Sequence, residues 1–491
     1  MKAAVVGAGI GGLAAAARLA AAGFEVVVYE KNAAPGGKMS ELRAAGFRFD
    51  TGPSLLTLPS LLEELFRDCG EEMAGRIPCT ELECNCKYFF PDGSDFSFYA
   101  DRSRLERELA GKGFGTGERL FRRLETARAM YETGAPVFLF SDFHKLSNFN
   151  TPPYRRAAAR LADLDFMRTM HRANVCDLRD DRLVRVFDRY ATYNGSDPYR
   201  APATLNMIAH LENNLGACFP RRGMYSVARE LHALASEQGA EFRFGTQVTG
   251  IATDRGRTTG VQTAHGTERC DVVVSDADVR YLSEHLLERH PLRRRLRRAE
   301  PSSSAVIFYW GAEGVFDGLE LHNIVFSEDY AKEFADIFRQ HTLPEDPTIY
   351  VFVSCKAVPE DSPDGCSNLF VMVNAPADSG QDWDTVVRSA RERILTKLKR
   401  RLGIDLSGRI LTEHVATPVT IERDTFSAGG ALYGTSSNTP LAAFLRHPNS
   451  LRTCRGLYFV GGSVHPGGGI PLCLAGAKTV CNEIIGNHGG A

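Results

Sequence analysis

The chain opens on a short apolar run, Ala3 to Val6, then a cluster of glycines, then "LAAAARLAAAG", an alanine-rich helical stretch that closes at Gly23. A second apolar run, "EVVVYE", follows and ends on Glu30. Strand, glycine turn, helix and strand in that order predict the start of a βαβ unit. A later stretch, "GMYSVARELHALASEQGAEFRFGTQVTGI", sets Val227, Leu231 and Leu234 at helical spacing. Phe242, Phe244, Val248 and Ile251 then alternate as in strands, and the stretch leads into "CDVVVSDADV", a strand with a polar turn behind it. Near the end, "GLYFV" reads as a strand, "GGSVHPGG" as the turn after it and "GIPLCLAGAKTVCNEII" as a helix whose Pro471 suits the first helical position. We read these three stretches, residues 1–76, 218–290 and 410–491, as discontinuous segments of one Rossmann-like α/β domain.

The stretches between them lose that alternation. Residues 77–217 are mostly amphipathic and aromatic, whereas 291–409 hold β-rich runs such as "SSAVIFYWG", "TIYVFVSC" and "NLFVMVNAP". Both are assigned to a second, mixed α+β substrate domain. Within the first, Gly134 to Arg172 mixes aromatics with Arg155, Arg156, Arg160, Arg168 and Arg172. That composition fits a core-facing amphipathic helix with a solvated basic side, or a helix lying in a membrane interface. The denser run "PLRRRLRR", residues 291–298, reads as a solvated surface helix. No internal repeat or low-complexity linker is visible.

Length and charge narrow the classes. At 491 residues the chain has room for several domains, and a formal charge of −2 with 43% hydrophobic residues gives no global attraction to nucleic acid, which is not expected as a partner. The 12 cysteines are scattered, and Cys84-Asn85-Cys86 has no second pair to complete a zinc site, so reduced thiols and no metal centre are expected. The apolar start could pass for a signal peptide, but its glycine spacing serves another purpose. With no run of about 20 apolar residues, no transmembrane helix is expected and the cytoplasm is the default location.

That purpose is chemical. Gly7-Ala8-Gly9-Ile10-Gly11-Gly12 is a G-x-G-x-x-G turn between strand and helix: Gly7 permits the tight turn, Gly9 lets a pyrophosphate reach the backbone and Gly12 lets helix and strand pack closely. Glu30, beside Lys31, stands where a carboxylate would bond a ribose hydroxyl. FAD and NAD both remain open on those residues. A second glycine pair, Gly36-Gly37, with Lys38, and the turn Asp50-Thr51-Gly52-Pro53-Ser54 add so much ligand-facing chain that a buried FAD fits better than an exchanging NAD.

Together the opening motif, "PGGK", "FDTGPS", the central stretch quoted above, "LHNIVFSEDY", the β-rich runs and the tail "GLYFVGGSVHPGGGIP" resemble the bacterial-type phytoene desaturase family of carotenoid desaturases and isomerases, over nearly the whole chain. The resemblance implies FAD as cofactor, with the backbone at Val248 on the adenine side, Gly462 and Ser463 at the pyrophosphate and ribityl chain, and Gly469, Ile470 and Pro471 at the isoalloxazine. It implies an acyclic carotenoid substrate, desaturated by hydride transfer to flavin N5 and proton loss, and a peripheral position on the inner face of the cell membrane. Oxygen or a quinone is the implied electron acceptor. Isomerase or saturase activity, and 3,4-desaturation of a 1-hydroxycarotenoid, remain alternatives. No catalytic acid or base is assigned: His465 reads as a turn-fixing residue rather than a base, and Asp142, His144, Asp197 and His322 lack a supporting motif.

Overall fold

The computed structural model describes residues 1–114 and 117–488; residues 115–116 and 489–491, which fall in two of the stretches assigned above, lie outside the described residues. The opening unit forms as the pattern predicts, with strands Lys2–Val6 and Glu25–Tyr29 around the helix Ile10–Ala21. That helix is buried from Ile10 to Ala20 because it lies against the sheet and against the helices Tyr225–Glu237 and Ile470–His488. Neighbours on several sides leave no room for long side chains, which accounts for the run Ala14 to Ala17. Even Arg18 is buried, its guanidinium donating to Asp68 Oδ2 at 2.7 Å.

One sheet of nine strands collects pieces from all three segments. Glu241–Arg243 lies outside Glu25–Tyr29, which pairs with Lys2–Val6; on the other side come Val272–Ser275 and then Cys454–Phe459, all parallel. Strand order reverses beside Lys2–Val6. In open parallel sheets ligands bind outside the carboxyl ends of strands at such a switch point, and here Gly7 follows directly.

A second sheet of seven strands draws on both intervening stretches. Cys84–Phe89 pairs with Asp95–Tyr99 on one side and with His322–Val325 on the other, and Ile349–Phe352, Cys366–Ala375 and Ser304–Glu313 continue the order. Its end strand, Ile410–Ala416, pairs with Ser304–Glu313. The sequence reading had put that strand in the last α/β segment; strand residues alone do not reveal which of two sheets supplies their partners.

The stretch from Gly134 to Arg172 is not one helix. The helix Glu118–Phe138 ends in it, a 3-10 turn spans Leu146–Asn150, a short helix Pro152–Ala159 and a second 3-10 turn Leu161–Leu164, and another helix begins at Met170. Tyr154 and Ala157 are buried, while Phe140, Phe149, Leu161 and Met167 are exposed, Met167 by 83%. Arg155, Arg156, Arg160 and Arg172 lie exposed among them. In the basic run, Leu296 is buried and Arg293 and Arg295 turn to the carbonyls of Leu287 and Leu445.

The helix and the turn meet most closely at Gly12, where an added Cβ would lie 2.1 Å from the Gly7 carbonyl oxygen. Gly12→Ala is therefore expected to cost about 1–3 kcal/mol by overpacking. Gly111→Ala, at a helical position with nothing within 4 Å of the new methyl, should stay within about 1 kcal/mol of the parent. Urea denaturation midpoints of the two variants check this pair.

Candidate active site: a two-ended glycine cradle

Backbone bonds shape the first turn. Gly7 N donates to Tyr29 O at 2.9 Å, and Gly36 N donates to Ala8 O at 2.7 Å, which draws the second glycine pair against the first. The carboxylate of Glu30 is buried and accepts from Ala8 N at 2.8 Å and Asn32 N at 2.9 Å, one bond to each oxygen. Each oxygen keeps a lone pair for a further donor. The helix Ile10–Ala21 starts from Gly9, which has no side chain to cap it; its N-terminus carries a partial positive charge, and the Asp276 carboxyl lies against the Gly9 and Gly12 amides.

The tail reaches the same place. A Cβ on Gly11 would lie 2.8 Å from Gly461 N, so the first and last glycine loops touch. Ser463 Oγ accepts from Val279 N at 2.9 Å, and the terminal helix begins at Ile470, with Pro471 its second residue.

Between these loops lies a cavity of about 1020 Å³. Of the residues singled out from the sequence as cofactor-facing, all but Ala8 and Gly12 line it. Those two are occupied otherwise, Ala8 in orienting Glu30 and Gly12 in the helix contact. Lys38 lines the cavity but its ammonium donates to Leu432 O at 2.7 Å, and burial lowers its pKa. Lys31 donates to Asn32 Oδ1 and Arg423 O and stands 4.4 Å over the Phe426 ring.

Comparison with known proteins places this geometry. The family described as flavin containing amine oxidoreductase matches residues 10–485. The chain belongs to that family. Among relatives, a 1-hydroxycarotenoid 3,4-desaturase of Flavobacterium sp. (strain P99-3) is 42% identical over 98% of this chain and 99% of its own length. A zeta-carotene-forming phytoene desaturase of Myxococcus xanthus is 32% identical over 98% and 93%. An oxidoreductase from Methanosarcina mazei shares the fold at a TM-score of 0.65, with 16% identity over 98% of this chain and 100% of that one.

The chain is thus an FAD-dependent oxidoreductase, and its cavity fits the cofactor on its own terms. A helix N-terminus, glycines in mutual contact and a buried carboxylate with spare lone pairs form a long cradle suited to a pyrophosphate flanked by a ribose. When bound there, FAD supplies a two-electron acceptor.

Among the residues of this flavoprotein's cavity that sequence reasoning missed are Asp276 and Arg446. Asp276 follows the strand Val272–Ser275, and a Cβ on Gly9 would lie 2.4 Å from its Oδ2. Burial pushes its carboxyl up to about 7, against the pull of the Gly12 and Gly9 amides. Its position at the end of "VVVS", a strand parallel to the first, was the available signal. Arg446 is also buried and donates to Tyr433 O at 2.9 Å; burial lowers its pKa to about 10. No motif surrounds it.

His465 behaves as a structural residue. Its Nε2–H donates to Ser141 O at 2.9 Å, its backbone carbonyl accepts from Asn449 Nδ2, and burial pulls its pKa down to about 4, so it is neutral at pH 7. Of the other acid and base candidates, His322 lines the cavity and Asp142, His144 and Asp197 do not.

Asp276 is expected to make FAD affinity depend on pH. An anion bound beside it favours the protonated carboxyl, so binding takes up a proton once pH exceeds about 7. Above that value the apparent Kd of the apoprotein for FAD should rise, by up to about tenfold per pH unit. Asp276→Asn should flatten the profile, as read by fluorescence titration.

Proposed function

We propose that the chain is a desaturase of acyclic carotenoids that works with bound FAD. The observation that carries this reading is the cavity itself: it runs from the two glycine loops into walls made by the second domain, where Leu205, Met207, Ile208, Leu211, Phe370 and Met372 offer an apolar lining. Of the relatives that align end to end, some are named for carotenoid desaturation, which fits an elongated hydrocarbon in such a space, and others as 4,4'-diapolycopene or 4,4'-diaponeurosporene oxygenases.

On this proposal Glu30 holds the adenosine ribose, the backbone at Val248 meets the adenine, and the amides from Gly9 to Gly11, with Gly462 and Ser463, take the pyrophosphate side. Gly469, Ile470 and Pro471 approach the flavin ring. A Cβ on Gly469 meets nothing within 4 Å, so its backbone borders open cavity. The residues of the second domain hold the polyene straight, exclude water and fix which carbon pair loses hydrogen.

We also propose that the protein works on the cytoplasmic surface of a membrane. Among the described residues no helix is long and apolar enough to cross one. The support lies in the exposed Phe140, Phe149, Leu161 and Met167 beside exposed arginines, next to Phe138 and Leu139, which line the cavity. Apolar side chains inserted among head groups with guanidiniums at the phosphates would bring the cavity wall to the lipid.

Anaerobic mixing of the holoprotein with neurosporene or its 1-hydroxy derivative should bleach the oxidised-flavin absorbance while a longer-wavelength polyene band grows, and the product should be lighter by one H2. A product of unchanged mass and altered cis/trans geometry would favour an isomerase instead. In flotation, the protein should rise with anionic liposomes at low salt, and the triple change Arg155→Glu, Arg156→Glu and Arg160→Glu should lower the bound fraction severalfold. A wild type that turns over carotenoid yet never floats would remove the membrane reading.

A further inference from the structure

Buried cations in this chain come with a counter-charge. Arg18, Arg48, Arg123, Arg189 and Lys397 are all buried, and each reaches a carboxylate oxygen: Asp68 at 2.7 Å, Asp50 at 2.7 Å, Asp177 at 3.0 Å, Glu212 at 3.3 Å and Asp346 at 2.7 Å. Arg446 is the exception. It is 4% exposed and lines the cavity, yet no carboxylate among the described residues pairs with it. Its Nη1 donates to Tyr433 O at 2.9 Å and more loosely to Gly462 O at 3.5 Å, and its Nη2 to Ser437 Oγ at 3.4 Å. Carbonyl and hydroxyl dipoles solvate the guanidinium without cancelling its charge, which it keeps at pH 7. A buried charge left without a partner is strongly destabilising, so this one calls for an anion from outside the chain.

The surroundings say which anion. The tail loop touches the first glycine loop at Gly461, where Asp276 is packed against it. Arg446 lies by the loop's other end: a Cβ on Gly467 would come within 3.3 Å of Arg446 Nε, and a Cβ on Gly468 within 2.6 Å of the Tyr433 ring. From that end the chain runs through Gly469 into the 19-residue helix Ile470–His488, whose first turn carries partial positive charge. A fixed cation and a helix terminus are thus brought to one stretch of cavity wall. The pyrophosphate carries its charge in every state of the cofactor, whereas the flavin ring is neutral when oxidised; two electrons and one proton, taken up on reduction, leave one negative charge over its N1 and C2 carbonyl.

We propose that Arg446 is the counter-cation of the reduced flavin: its guanidinium, with the start of the helix Ile470–His488, favours the singly charged reduced ring over the neutral oxidised one and so raises the cofactor's reduction potential. Taking hydride from a hydrocarbon demands a strong acceptor, and a preorganised charge in a buried wall strengthens one without reorganising during the reaction. The inference rests on the placement of the ring at Gly469 to Pro471 proposed above, and it adds the residue that tunes it.

The test uses the FAD-loaded protein and no polyene, so its outcome is independent of the desaturase reading. Midpoint potentials are read by equilibration with a reference dye, and the Kd for oxidised FAD by fluorescence titration of the apoprotein. Arg446→Gln, which keeps hydrogen-bond donors without the charge, should lower the ratio of reduced to oxidised flavin at a fixed potential at least tenfold, about 30 mV for a two-electron couple. Its Kd for oxidised FAD should stay within about threefold of the parent, and Arg446→Lys should recover most of the lost potential. The potential decides. If it is unchanged in Arg446→Gln the proposal is overturned, and a weakened Kd alongside an unchanged potential assigns the charge to the pyrophosphate instead. Should neither variant hold FAD, the wild type alone settles the matter: between about pH 5.5 and 6.5 its potential should fall by about 30 mV per unit, one proton with two electrons, whereas a fall of about twice that means a neutral reduced ring and overturns the proposal.

Discussion

The architecture depends on one close approach: the backbone of Gly11 against that of Gly461, with Asp276 wedged beside them. Three chain segments meet there, and each has to end its strand at the same level for the loops to touch. The parallel pairing of Lys2–Val6 with Val272–Ser275, and of that strand with Cys454–Phe459, supplies the common level. Any side chain at Gly11 would push the last segment away from the first, and the cradle would open along its length.

Much of this was legible in the chain because glycine spacing and strand-helix alternation are local signals. Gly7 to Gly12 and Gly462 to Pro471 each announce a turn at the end of a strand, and a family resemblance tied the two ends together. Pairing is not a local property, which is why Ile410–Ala416 went to the wrong sheet. Asp276 and Arg446 went unnoticed for a related reason: an aspartate after a strand and an arginine in a loop look solvent-facing until the fold buries them. The aromatic and basic stretch after Gly134 read as a single helix from its composition, whereas the helix that passes through Pro136 ends at Phe138 and the turn Leu146–Asn150 separates it from the helix Pro152–Ala159.

Charge is distributed with the same economy. Two of the cavity's imidazoles, His322 and His465, are held neutral by burial, and Arg189 is matched by Glu212 inside a ring of tyrosines. Such walls present hydrogen-bonding direction without net charge, which suits a long apolar molecule in a way that an ionised lining would not. His465 does mechanical service as well: through Ser141 O it ties the tail to the segment that carries the exposed aromatics.

The contact between the first and last glycine loops also sets a timetable during synthesis. The ribosome releases the dinucleotide turn early, but its counterpart at Gly461 emerges several hundred residues later, and the alanine-rich helix waits until then for the closing helix Ile470–His488 to cover it. Until the second loop is made, an apolar helix and an incomplete cofactor cradle are therefore exposed together. A complete cradle requires both loops, and a nascent chain that lacks the second presents apolar surface of the kind that chaperones shield.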